Sequence, residues 1–209
     1  MTANLFQLGL EAIRSAGSIV YPTETMYALG GDGRLAEVAD KVAAIKNRPD
    51  QKPLPLIVGD FSQLEMVTDW RGPEFSILAE AFWPGPLSMI VPAVQGLPQA
   101  VMDERGRTSV RITSHPTARK LCRDAGVPLV ATSANIAGKP PAFTPEQLDR
   151  ALCGQVDVVL DEAPWPGGGQ ASTVIGFEGG RRLRIHRRGA VPIAALMELG
   201  FTVIGTMDA

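Results

Sequence analysis

At 209 residues the chain is long enough for one large domain or two small ones. Its 45% hydrophobic and 20% charged residues fit a soluble globular protein and exclude long disorder. A formal net charge of −2 excludes a polycation that grips nucleic acid through bulk charge, although the arginines and lysines are clumped, which suits a phosphate-bearing ligand.

The start, MTANLFQLGLEAIRSAG, lacks a basic stretch before a long apolar run, so no secretory leader is expected. No apolar stretch approaches bilayer length, so no membrane partner is expected and the setting is cytoplasmic. Cys122 and Cys153 lie far apart with no metal-ligand spacing and read as buried or half-buried thiols. His115 and His186 are isolated, so no metal site is expected.

Residues 5–16 have helical apolar spacing through Leu5, Leu8, Ala12 and Ile13, with Gly17 to close the helix. Residues 18–21 read as a strand stopped by Pro22. A second helix is predicted over 35–46, ended by Pro49. A buried strand follows over 54–58, with Pro55 arguing for an edge or bulge. Short helices are predicted over 61–67 and 73–82, then a rigid turn at Trp83-Pro84-Gly85-Pro86. Strands over 87–91 and 108–112, a helix over 115–125 and a strand over 128–131 come next. Thr144-Pro145-Glu146-Gln147 has the residues of a strong helix start. Strands over 156–160, 172–177 and 182–186 and a helix over 192–199 complete the pattern. Alternating strands and helices give an α/β class, and short connections favour a mixed sheet in one domain.

Two motifs fall where apolar segments end. Lys46, Arg48 and Lys52 place three cations within seven residues, a credible phosphate grip, although a helix C-terminus also attracts basic residues. Thr132-Ser133-Ala134-Asn135 offers hydroxyl and amide contacts after a strand, or a plain polar turn. Ser133 has no neighbouring base and no nucleophile-elbow flanks, so a covalent role is not expected. Tyr21-Pro22-Thr23-Glu24-Thr25 is either a ligand loop or a self-satisfied turn. Gly30-Gly31-Asp32-Gly33 lacks a phosphate-loop pattern and reads as a flexible turn, and Gly167-Gly168-Gly169 marks a mobile loop. Phe82 to Pro86 reads as a structural corner rather than a base-stacking platform.

Taken together these segments resemble the YrdC/TsaC-type L-threonylcarbamoyladenylate synthases. The resemblance runs from Tyr21-Pro22-Thr23-Glu24-Thr25 through Lys46-x-Arg48-Pro49, Lys52-Pro53-Leu54, Phe82 to Leu87, Ser109-Val110-Arg111, His115-Pro116, Ser133-Ala134-Asn135 and Ala171 to Val174, to Arg187. It implies one YrdC-like domain over residues 1–209, with no further C-terminal domain: a twisted mixed α/β sheet with flanking helices and a concave basic surface.

The implied enzyme is a nucleotidyltransferase that makes threonylcarbamoyl-AMP and diphosphate from L-threonine, bicarbonate and ATP, with Mg2+ accompanying the ATP. Downstream transfer proteins would use the product for tRNA N6-threonylcarbamoyladenosine modification. By matching motif, Lys46, Arg48, Ser133 and Asn135 form the nucleotide signature, and Lys52 and Arg187 are further ATP contacts. Thr25, Arg111, Ala131 and Ser172 match L-threonine positions, with Arg111 on the amino acid's carboxylate. Ala28 stands where a glycine is usual, Arg107 where some members have a hydroxyl, and Pro141 where serine is common. The Gly167–Gly169 or Gly138–Pro141 loop is expected to close over the site. The rival readings are a double-stranded RNA or tRNA-binding module and a paralogue of the fold without this activity.

Overall fold

The computed structural model describes residues 4–46 and 52–206. Helix α1 spans Leu5–Arg14, and the Asn4 side chain caps it by accepting the Phe6 N–H at 2.9 Å. β1 (Ile19–Pro22) and β2 (Tyr27–Gly30) form an antiparallel hairpin, and α2 (Ala36–Ile45) follows. Next come β3 (Leu56–Val58), α3 (Phe61–Leu64), α4 (Pro73–Phe82), β4 (Leu87–Pro92) and β5 (Arg107–Ile112). Then follow α5 (Pro116–Ala125), β6 (Leu129–Val130), β7 (Thr132–Ser133), α6 (Arg150–Cys153) and β8 (Val158–Val159). β9 (Thr173–Phe177), β10 (Arg182–Arg187), α7 (Ile193–Glu198) and β11 (Thr202–Thr206) complete the order.

The α/β class with mixed pairing matches the expectation, and the strands divide between two sheets. One runs β7-β2-β1-β8 and the other β11-β10-β9-β4-β5-β3-β6. β1 is buried on both faces. Val20 joins the main core with Leu29, Val42, Leu56 and Leu78, while Ile19 and Tyr21 join a second cluster with Ile57, Leu121 and Leu129. A strand enclosed on both sides needs a continuous apolar run, which Ile19-Val20-Tyr21 supplies. Each fully buried leucine or isoleucine contributes about 1.5–3 kcal/mol.

The segment Gly30-Gly31-Asp32-Gly33 is buried, not the flexible turn expected of it. A Cβ on Gly30 would sit 1.6 Å from the Val130 carbonyl oxygen, and one on Gly31 would sit 2.4 Å from the Gly17 oxygen. Glycine here permits close backbone approach. Val130 N–H donates to Gly31 O at 2.9 Å and Gly33 N–H to Pro128 O at 2.8 Å. These bonds stitch β6 to the end of β2 and so join the two sheets.

Other differences have local causes. The Thr144–Gln147 capping box forms, but it closes only a single 3-10 turn, Pro145–Gln147, and not the start of a long helix. Gln147 still reaches back to accept the Phe143 N–H at 2.7 Å. Pro55 lies just ahead of β3, an internal strand between β5 and β6, and its carbonyl accepts the Ala131 N–H at 2.9 Å. β2 and β11 had no expected strand, since Ala28-Leu29-Gly30 and Thr202–Thr206 are too short and glycine-bearing to show alternation. The Trp83 corner is structural as expected. The indole donates to Leu87 O at 2.6 Å and packs edge-on against Phe75 with ring centroids 5.4 Å apart.

Candidate functional site

Lys46 caps the C-terminus of α2 and is 5% exposed. Its ammonium reaches across to the loop after β7. It donates to Ser133 O at 2.5 Å and Asn135 O at 2.8 Å, with Asn135 Oδ1 at 3.2 Å and Ser133 Oγ at 3.4 Å. The Lys46 carbonyl accepts the Ala137 N–H at 3.2 Å, and Asn135 Nδ2 donates to Lys139 O. The lysine therefore holds the loop in place besides bringing positive charge to it, a use its position in the sequence did not reveal. Ser133 and Asn135 remain partly exposed and stay accessible to a ligand.

A second cluster is built on β4, β5, β9 and β10. Arg111, 4% exposed on β5, donates Nε to Glu24 Oε1 at 2.7 Å. Thr113, two residues further on, donates its hydroxyl to Glu24 Oε2 at 2.5 Å. Burial would raise the Glu24 pKa, but the Arg111 charge and the Thr113 hydrogen bond outweigh it and hold the carboxylate below its ordinary value. The Arg111 Nη groups make no hydrogen bond among the described residues. Ser172 precedes β9 and is 3% exposed. Arg187 donates Nε to Ser172 O at 2.9 Å and Nη2 to Ser172 Oγ at 2.8 Å, and that hydroxyl also meets Ser88 Oγ at 3.1 Å. Burial and then the nearby Arg111 charge lower the Arg187 pKa. Cations beside short hydroxyl side chains are chemically able to receive a small anion such as a carboxylate.

The β1–β2 hairpin touches both clusters. Glu24 in its turn engages Arg111, and Ala28 on β2 pairs with Ser133 on β7. Thr25 is 4% exposed, and among the described residues its hydroxyl has one hydrogen-bond neighbour, Thr23 Oγ1 at 3.4 Å. Ala131 lies between β6 and β7 at 8% exposure. The structure thus gathers Lys46, Ser133 and Asn135 in one group and Arg111, Ser172 and Arg187 in another. Arg187, expected on the ATP side, bonds directly to Ser172, expected on the threonine side. Lys52 is exposed and makes no bond among the described residues. Arg48 lies outside the described residues. Arg107 is engaged by Asp103, with an Nη2–Oδ2 distance of 2.8 Å, and the adjacent Thr108 hydroxyl is buried without a partner among the described residues.

Sequence reasoning assigned no individual role to Glu24, Thr113 or Ser88. The available signal was the spacing of Arg111 and Thr113. Residues two apart on an extended segment share a face. No group of three or more His, Cys, Asp and Glu side chains able to hold a metal lies among the described residues. No helix among them is long and apolar enough to cross a membrane. Cys122 is buried and Cys153 half-buried, both as free thiols.

The frame defines the class, a mixed α/β domain with two clusters of cationic and short hydroxyl side chains. Within that class, the Sua5_yciO_yrdC family model, described as "Telomere recombination", matches residues 11–189, and the chain belongs to this family. The Threonylcarbamoyl-AMP synthase of Idiomarina loihiensis is 37% identical over 165 residues, 77% of this chain and 87% of that protein. A protein of the same name from Xanthomonas campestris pv. campestris is 39% identical over 150 residues, 69% of this chain and 79% of that protein. Among solved structures, P. abyssi Sua5 complexed with L-threonine superposes with a TM-score of 0.87 at 26% identity, over 96% of this chain. The match spans only 60% of the Sua5 chain.

Proposed function

We propose that this protein is an L-threonylcarbamoyladenylate synthase, a nucleotidyltransferase acting through residues 1–209 as one YrdC-like unit. It would make threonylcarbamoyl-AMP and diphosphate from L-threonine, bicarbonate and ATP. The observation that carries this reading is a pair of cationic clusters, Arg187 held on Ser172 within electrostatic reach of Arg111, and Lys46 held on the Ser133–Asn135 loop. It occurs in a chain whose relatives at 37% and 39% identity bear that enzyme's name.

The threonine carboxylate would lie against the Arg111 fork, with Thr25, Ala131 and Ser172 around its polar atoms. The threonine amine attacks the carbon of bicarbonate-derived carbon dioxide and loses a proton, giving a carbamate. A carbamate oxygen attacks the α-phosphorus of ATP, the bond to the bridging oxygen breaks, and diphosphate leaves. Such a reaction depends on positioning and on cations that meet the phosphate charge, which suits Lys46, Arg48, Lys52 and Arg187 better than a covalent nucleophile would. Ser133 and Asn135 would orient the nucleotide. Mg2+ would accompany the ATP and help neutralise its phosphate charge.

Carbamates decompose in water, so the site must exclude solvent. The Gly167–Gly169 segment, whose first glycine runs close to the Glu24 carbonyl, or the Gly138–Pro141 loop would close over it. Cytoplasmic free thiols, tRNA modification and hand-over to transfer proteins belong to the same reading. Incubation with ATP, bicarbonate and L-threonine should yield threonylcarbamoyl-AMP by mass spectrometry. Formation of AMP or ADP without that product would reject the reading.

A further inference from the structure

Glu24 belongs to the turn joining β1 and β2, and it reaches out of that sheet to β5 of the other. Both of its oxygens are engaged, Oε1 by Arg111 Nε at 2.7 Å and Oε2 by Thr113 Oγ1 at 2.5 Å. The pair is almost closed to water, with side-chain exposures of 5% and 10%. A buried ion pair contributes little net stability, because the desolvation of both charges offsets their attraction. Packing alone therefore does not account for it.

Its geometry does something more specific. The bond to Glu24 uses one edge nitrogen of a planar fork with five N–H donors, and it fixes the plane and direction of the remaining four. Charge balance points the same way. Arg111 and Arg187 are close enough for one to lower the other's pKa. Glu24 offsets one of the two cations, leaving a single net positive charge for a single carboxylate. Arg187 is fixed separately by the Ser172 carbonyl and hydroxyl.

We infer that Glu24, itself seated by Thr113, is a positioning residue for substrate recognition. It holds Arg111 by Nε so that the outer edge of the guanidinium meets the carboxylate of the amino-acid substrate. The inference rests on the reading of this pocket as the L-threonine site. Glu24 touches no reacting atom and acts through Arg111.

The test is steady-state diphosphate release by the full chain, with L-threonine and ATP varied in turn. Glu24→Gln removes the charge opposite Arg111 and lets only the amide oxygen accept from it, while the bond to Thr113 must reverse, with the amide nitrogen donating to the hydroxyl. KM for L-threonine should rise roughly tenfold or more, with KM for ATP within about twofold of wild type. Thr113→Val should shift KM for L-threonine in the same direction by roughly threefold, and Thr113→Ser, which keeps the hydroxyl, should restore it. The Thr113 pair decides the matter if Glu24→Gln does not fold. An unchanged KM for L-threonine in an active enzyme, or an equal rise for ATP, would overturn this inference alone. A wild type that releases no diphosphate in response to threonine would overturn the functional reading with it.

Discussion

At the lysine-centred cluster one ammonium is surrounded by main-chain carbonyls, and a loop is shaped around it. At the arginine-centred cluster, guanidiniums on paired strands are held mainly by side chains, with the Ser172 carbonyl as the one main-chain partner among the described residues and a register shift in the ladder between Ile185 and Arg187. The first arrangement uses Lys46 to order Ser133 to Asn135 at the edge strand β7 of the smaller sheet. The second lies on the rigid ladder of β5, β4, β9 and β10 and is trimmed by Glu24, Thr113, Ser88 and Ser172. A charge in a sequence motif therefore has two possible uses, binding a ligand or building the place where one binds. Lys46 does the second. On the proposed reading it would also do the first, and for Arg111 the two uses would fall on different nitrogens.

Removing the support under the lysine-centred cluster should have the largest effect. Gly30→Ala would drive a methyl group into the Val130 carbonyl oxygen at 1.6 Å and push β6 and β7 away from β2. It should cost more than about 3 kcal/mol and leave most of the protein insoluble, as read by soluble yield and thermal unfolding. Lys46→Met keeps most of the volume but deprives two carbonyls of an ammonium donor. Diphosphate release should fall more than about a hundredfold, and Tm should drop by on the order of 5–10 °C. Full activity with a normal Tm would refute the double role given to this lysine.

Ser172→Ala tests the other cluster. It removes the Oγ acceptor for Arg187 and the partner of Ser88 while leaving the ladder intact. KM for L-threonine should rise roughly tenfold, with a loss of about 1 kcal/mol in stability, and Lys46-dependent nucleotide contacts should be spared. A rise confined to KM for ATP would mean that the clusters are not divided as described.

Acid should bring the smallest change. His115 is buried, with neither ring nitrogen partnered among the described residues. The backbone of Trp165 and Pro164 lies near the ring without meeting hydrogen-bond geometry. Burial lowers its pKa from the ordinary 6.5, against smaller opposing contributions from the Trp165 backbone, Glu24 and the Pro164 backbone. The unfolded chain then binds a proton first, so this share of stability is full above pH 6.5 and is lost as pH falls through the lowered folded value. Glu24 adds a second loss at lower pH, as its own lowered folded value is crossed. Tm measured in His115→Gln should decline less steeply than wild type just below pH 6.5, and an identical slope would count against the assignment.

The sequence made much of this visible, and the limits have physical causes. Helices with clear periodicity, such as α4 over Pro73–Phe82, have the expected bounds. So does the corner at Trp83 to Pro86, because proline and glycine restrict the backbone locally. β2 was hidden because its run ends in glycines, and what those glycines touch is 100 residues away in Val130. The individual role of Glu24 was hidden for the same reason. A carboxylate in a hydroxyl-rich turn reveals nothing of a partner on β5 until the sheets are assembled. Membership of the family was legible, since the residue types and order of the motifs carry the resemblance and the family model matches residues 11–189.

The central claim is that the two clusters serve one reaction on threonine and ATP. The most direct measurement is diphosphate release by the wild-type protein with L-threonine, bicarbonate and ATP supplied together and each omitted in turn. The account expects release only when all three are present. Release that is absent, or that continues unchanged without threonine, would contradict it.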